Sequence, residues 1–190
     1  MDAYLFLEGL RANPPVFSIE RGFVLRTQLY SEKVRNRNAE TFHFFENGGS
    51  SPMRFRRETI AHLAAVSELI LNYDWPRELV LFEPDGRGPL ATDGALDALV
   101  LSPDGSALIG VEAKGERQKL ASLLKGINRC TGSGSHPRTD HKKCEALMEF
   151  RPPYFWAVAL NKRSLFTADY ETGTVRLAPA PNNDPLTFGL

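Results

Sequence analysis

The apolar positions of the chain change period several times, and each change marks a predicted element. Residues 2–12 read as a short helix that stops before Asn13-Pro14-Pro15, because proline disfavours helical geometry in the residue before it and has no N–H to donate. Residues 16–47 carry no single period: 23–29 fit a strand, and the aromatic group Phe42, Phe44 and Phe45 fits either a packing edge or an interface. Asn47-Gly-Gly-Ser-Ser-Pro52 reads as a linker, since Gly and Ser favour irregular chain and proline interrupts regular structure. From 55 to 73 the period becomes helical, with Ile60, Leu63, Ala64, Val66, Leu69 and Ile70 sharing a broad face. A short apolar strand at 79–82 and a Gly/Pro-rich turn from 84 to 89 follow. Residues 95–101 and 107–113 are apolar runs joined by Ser102-Pro-Asp-Gly105, a hairpin signal that extends the strand at 79–82 into a three-strand meander.

Beyond Lys114 the helical period returns through Leu120, Leu123, Leu124 and Ile127, predicting a helix that ends near Thr131. A Gly/Ser loop spans 131–137, and a shorter helix covers about 140–150. After Arg151-Pro-Pro153, residues 154–160 are aromatic and β-branched enough for a buried strand, with further strands at 164–170 and 174–178. The elements predict an α/β protein with a mixed central sheet flanked by helices, in the order α-β-β-β-α-β with N- and C-terminal additions. Residues 1–53 form an N-terminal extension, packed on the core or at an interface, and 54–190 form one domain with a single core. No internal repeat is visible.

Composition narrows the function classes. A chain of 190 residues with zero formal net charge is long enough for one sizeable core and is not a uniformly basic coat for nucleic acid. Any such contact must come from local clusters. Two cysteines, Cys130 and Cys144, suit a reducing compartment better than a secreted disulfide framework and weigh against a disulfide. The first residues include Asp2 and Glu8 without a basic lead, unlike a signal peptide, and no run reaches membrane-spanning length. The expectation is a cytoplasmic protein with no membrane partner.

The chemistry is carried by Val111-Glu112-Ala113-Lys114. Side chains alternate across a strand, so Glu112 and Lys114 point to one face while Val111 and Ala113 point to the other. Asp97 interrupts the apolar run upstream, and a hairpin between the two segments brings it beside Glu112. Two buried carboxylates are costly without a counter-charge. A divalent cation supplies one, and two carboxylates with waters and a phosphate oxygen make the hard-oxygen coordination that magnesium prefers. Lys114 is then placed to orient a nucleophile or to stabilise developing charge.

These residues resemble the PD-(D/E)XK nuclease superfamily, which shares the restriction-endonuclease-like fold. In that superfamily an acid on the second core strand is followed, after a turn, by an acid-any-Lys tripeptide on the third. Here these correspond to Asp97 and to Glu112-Ala113-Lys114. The element order of 54–160 is similar to the superfamily core, and Leu96 stands where its signature has proline. The resemblance implies a DNA phosphodiester hydrolase using Mg2+ or Mn2+, with metal held by Asp97, Glu112 and the Ala113 carbonyl, and with Lys114 positioning the attacking water. It also implies a carboxylate from the first core helix, for which Glu58 and Glu68 compete, and a polar residue early in the next helix, Gln118. RNA as substrate, a homodimer, and membership of a larger nucleic-acid-processing complex all remain open. A non-catalytic nucleic-acid-binding or assembly module on the same fold is the alternative function.

Several residues also have plainer readings. An isolated Glu-x-Lys arises by chance on many exposed strands, where such pairs contribute about 0–1 kcal/mol; the weight here comes from its combination with Asp97, the turn and the element order. Glu58 in a first helical turn is favoured there by the helix dipole alone. Cys130, His136, His141 and Cys144 include zinc-ligating types, but their spacing matches no finger. Arg54, Arg56 and Arg57, Arg117 and Lys119, and Arg138, Lys142 and Lys143 are basic clusters near the proposed site. Arg56, Arg57, Lys142 and Lys143 are the foremost candidates for phosphate contacts.

Overall fold

Alternation along one strand organises the molecule. In the computed structural model, β6 (Ala107–Lys114) sends Ile109, Val111 and Ala113 into one apolar core. The opposite side, at Gly110, meets Pro152 and, from a second core, Leu147 and Phe155. The structure describes residues 1–20, 23–26, 41–43, 57–82, 96–130 and 138–181. Among them the chain runs α1 (Asp2–Arg11), β1 (Phe17–Glu20), β2 (Phe23–Arg26), β3 (Thr41–His43), α2 (Arg57–Leu71), β4 (Val80–Phe82), β5 (Ala98–Leu101), β6, α3 (Arg117–Ile127), α4 (Arg138–Phe150), β7 (Tyr154–Ala159), β8 (Lys162–Asp169) and β9 (Arg176–Pro179). The linker expected at 47–52 and the turns at 84–89 and 131–137 lie outside the described residues.

β4 to β9 form an open six-stranded sheet in chain order. Every neighbouring pair is antiparallel except β6 and β7, which run parallel. A parallel pair needs a crossover connection, and α3 and α4 supply it. Those two helices cover one face, where Leu120, Leu123, Ile127 and Leu147 pack with Leu99, Phe155, Ala157 and Ala159. On the other face α2 buries Ala61, Leu63, Ala64 and Leu69 against Ala98, Val100, Val111, Trp156 and Val158. Each fully buried Leu or Val contributes roughly 1.5–3 kcal/mol relative to exposure. The result is an α/β protein with a mixed sheet between helices, plus a small antiparallel sheet in the order β1-β2-β3.

The α1 helix packs on α2 at close range. A Cβ at Gly9 would lie 2.0 Å from Ser67 Oγ, so this crossing excludes any larger residue. At the start of α1, the buried carboxylate of Asp2 accepts hydrogen bonds from Arg163 at 2.8 Å and from the Asn161 N–H at 2.9 Å.

Three expectations are corrected. The strand expected from 95 begins at Ala98, because the Asp97 carboxylate rather than its carbonyl accepts the Ala113 N–H (2.6 Å). The helix expected to reach Thr131 ends at Ile127, where a turn through Asn128 and Arg129 carries Cys130 toward α4. There Cys130 and Cys144 are joined in a disulfide, with Cα atoms 6.0 Å apart. The sequence weighed against that bond because two cysteines without a dense framework suit a reducing compartment, whereas the turn after α3 brings them together.

Candidate active site

Antiparallel register decides which side chains share a face. Ala98 pairs with Val111, so Asp97 stands across from Glu112, one position beyond the end of the paired region. The Asp97 N–H donates to the Val111 carbonyl at 3.1 Å, and its own carbonyl lies 2.6 Å from His62 Nε2 of α2. Main-chain contacts on both sides therefore fix the direction of the Asp97 carboxylate.

Glu112 is fully buried. Its Oε1 lies 2.5 Å from Lys114 Nζ and its Oε2 lies 2.7 Å from Lys143 Nζ. The Lys114 ammonium also donates to Glu58 Oε1 at 2.7 Å and to the Ala113 carbonyl at 2.9 Å. Glu58 comes from the first turn of α2, Lys114 from the last residue of β6 and Lys143 from the first half of α4. Elements from both faces of the sheet thus converge at the end of β6.

The electrostatics follow from taking these charges out of water. Burial, and next the neighbouring negative charge of Asp97, push the Glu112 carboxyl up to about 7, against the pull of Lys143 and Lys114. Burial also raises Asp97, although Lys114, Lys143 and the Ala113 N–H favour its ionised form. For Lys114, burial acts to lower the ammonium, but the charges of Glu112 and Asp97 and its hydrogen bonds outweigh it and hold Lys114 above its ordinary range. The lysine is a firm cation beside two reluctant anions.

The oxygens gathered here are of the hard type that a divalent cation takes, although both oxygens of Glu112 and the Ala113 carbonyl already accept from lysines. Asp97 and Glu112 offer carboxylate oxygens, and Ala113 offers a carbonyl. Magnesium is commonly bound by one or two carboxylates whose shell is completed by water and phosphate. Among the described residues no three His, Cys, Asp or Glu side chains gather closely enough to hold a metal by themselves, so an ion here would complete its shell with the carbonyl, water and substrate.

Other predicted residues fall into place unevenly. Glu58, not Glu68, reaches Lys114; Glu68 is engaged by Arg163 at 2.5 Å. Burial raises the Glu68 carboxyl even against that guanidinium. Gln118 is exposed in the first turn of α3, and Lys142 is exposed on α4. Lys143 is turned inward onto Glu112. Arg56 and the side chain of Arg57 lie outside the described residues. The zinc quartet is not assembled: its two cysteines are bonded to each other, and His136 and the His141 side chain lie outside the described residues.

Sequence reasoning missed His62 and the inward turn of Lys143. His62 had a signal, since it stands one helical turn after Glu58 and so on the same face of α2. Lys143 had none, because only the crossover brings α4 over Glu112. No family model matches the chain, and no curated protein matches it closely enough to count as a relative.

Proposed function

We propose that this chain is a metal-dependent nuclease with a restriction-endonuclease-like core, of the PD-(D/E)XK type, hydrolysing DNA phosphodiester bonds as an endonuclease with Mg2+ or Mn2+. The observation that carries the reading is the convergence of Asp97, Glu112 and Lys114 at the end of β6. The order α2, β4-β5-β6, α3-α4, β7, with an antiparallel meander and a parallel fourth strand, supports it.

Asp97, Glu112 and the Ala113 carbonyl would hold a divalent ion, which would supply Lewis acidity toward a phosphoryl oxygen. The rest of the chemistry is done by side chains. Lys114, aimed by Glu112, Glu58 and the Ala113 carbonyl, directs the attacking water and offsets negative charge that develops on the phosphoryl group. Glu58 fixes the direction of the ammonium from the opposite side. His62 holds the main chain at Asp97 and so sets the angle of that carboxylate.

A second reading, a non-catalytic nucleic-acid-binding or assembly module, is favoured by one observation: both oxygens of Glu112 already hold lysines, so the carboxylate is neutralised without an ion. Incubating the protein with supercoiled, linear, single-stranded and branched DNA, and with RNA, in Mg2+ or Mn2+ separates the two. Metal-dependent DNA cleavage, lost by at least ~100-fold in each of Asp97→Ala, Glu112→Ala and Lys114→Ala, supports the nuclease. Full activity in all three variants refutes the assignment. Inactivity of the wild type on every substrate favours the module.

A further inference from the structure

Lys143 reaches across from α4 to the one carboxylate oxygen of Glu112 that Lys114 does not hold. The two lysines come from different elements, and their roles are distinguishable. Lys114 also binds Glu58 and the Ala113 carbonyl, which fix it in place from three directions. Lys143 sits on α4, next to the exposed Lys142, on a flexible four-carbon stem.

Counting charges shows the consequence. Asp97, Glu112 and Glu58 bring three negative charges when ionised, and Lys114 and Lys143 bring two positive ones. A divalent cation added to this set leaves one excess positive charge in a site where burial strengthens every repulsion. With Lys143 gone the set is balanced. The ammonium and the divalent ion therefore compete for Glu112.

We propose that Lys143 is an internal stand-in for the divalent cation: it occupies Glu112 in the resting protein and transfers to a nucleic-acid phosphate when the metal enters, so that metal and nucleic acid bind cooperatively. This rests on the nuclease reading of the site. It makes Lys143 a positioning residue that alternates between Glu112 and a phosphate. A lysine suits that exchange, since its ammonium is a point charge without the fixed fork of arginine. Linkage requires the effect to be reciprocal: nucleic acid that draws Lys143 away tightens the metal, and the metal that displaces Lys143 tightens nucleic acid.

The test is a Mn2+ titration of the full chain, read by calorimetry and by the electron paramagnetic resonance of free Mn2+, for the wild type, Lys143→Gln and Lys143→Arg. Each is measured with and without a short DNA duplex. Lys143→Gln is expected to bind Mn2+ at least ~10-fold more tightly than the wild type without DNA, since a competing charge has been removed. Lys143→Arg keeps the charge and is expected to stay near the wild type. Duplex is expected to tighten Mn2+ in the wild type by at least ~5-fold and to have a smaller effect in Lys143→Gln. Unchanged or weaker Mn2+ binding by a folded Lys143→Gln, while the wild type binds the ion, overturns the stand-in role and leaves the nuclease reading intact. No Mn2+ site in either protein overturns both. If Lys143→Gln does not fold, the wild type alone decides: an affinity for Mn2+ indifferent to duplex contradicts the exchange.

Discussion

Lys114 Nζ, at the end of β6, lies 2.7 Å from Oε1 of Glu58, in the first turn of α2. The contact ties α2 to a strand residue whose other anionic partner is the fully buried Glu112. Lys114 is thereby held between two carboxylates and cannot follow either one away from the site.

This relationship predicts a split effect for Glu58→Gln. Glu58 is 40% exposed, so its ion pair is screened by solvent and its loss should change unfolding free energy by less than about 1 kcal/mol. Cleavage should nevertheless fall about 10–100-fold, because Lys114 loses one of the groups that aim it. Denaturant unfolding and single-turnover cleavage, measured on the same preparation, check the two halves. A cleavage rate equal to that of the wild type would remove Glu58 from the site.

The elevated carboxyl of Glu112 predicts a pH dependence of known sign. Its ordinary value is 4.5 and its folded value about 7. Below 4.5 the group is protonated in both states and its contribution to stability is fully present. Between 4.5 and 7 the native protein keeps a proton that the unfolded chain has released, so the contribution is lost as pH rises. In the absence of metal, the stability difference between the wild type and Glu112→Gln should drift against the wild type from pH 4.5 to 7 and then level off. Metal binding should run the other way, tightening toward pH 7 and releasing a proton, since the ion needs the carboxylate. Urea unfolding across that range, and calorimetry in buffers of different ionisation enthalpy, measure the two trends.

The disulfide predicts a redox effect on stability. Cys130 and Cys144 are 14 residues apart, and closing a loop of that size contributes about 3 kcal/mol by restricting the unfolded chain. Reduction, or the pair Cys130→Ser with Cys144→Ser, should lower the unfolding free energy by about that amount. Because Lys143 adjoins Cys144, the same treatment should alter hydrogen exchange at the start of α4 more than in β5 or β6. Denaturation with and without dithiothreitol, followed by exchange mass spectrometry, tests both statements.

Local chemistry carried a good part of this structure. The stop before Pro14, the hairpin through Ser102-Pro-Asp-Gly105 and the opposed faces of Val111 and Glu112 each depend on residues close in sequence, and each is found. The uncertain points were those set by distant segments. Glu58 and Glu68 lie on one helix, and only the positions of Lys114 and Arg163 in the folded sheet tell them apart. Lys143 read as a candidate phosphate contact, and its bond to Glu112 was not visible because that partner is 31 residues away in the chain. The disulfide was weighed against on cysteine count and compartment, grounds that do not register how the crossover between β6 and β7 brings the end of α3 to α4.

Replacing Lys114 alone separates the chemistry from the scaffold. Nicking of supercoiled DNA by Lys114→Met at saturating Mn2+, with bound Mn2+ counted in the same sample, is the deciding measurement. The ion should still bind at the Asp97 and Glu112 carboxylates while the cleavage rate falls by at least ~100-fold. Cleavage at the wild-type rate would show that the ammonium beside Glu112 takes no part in the reaction.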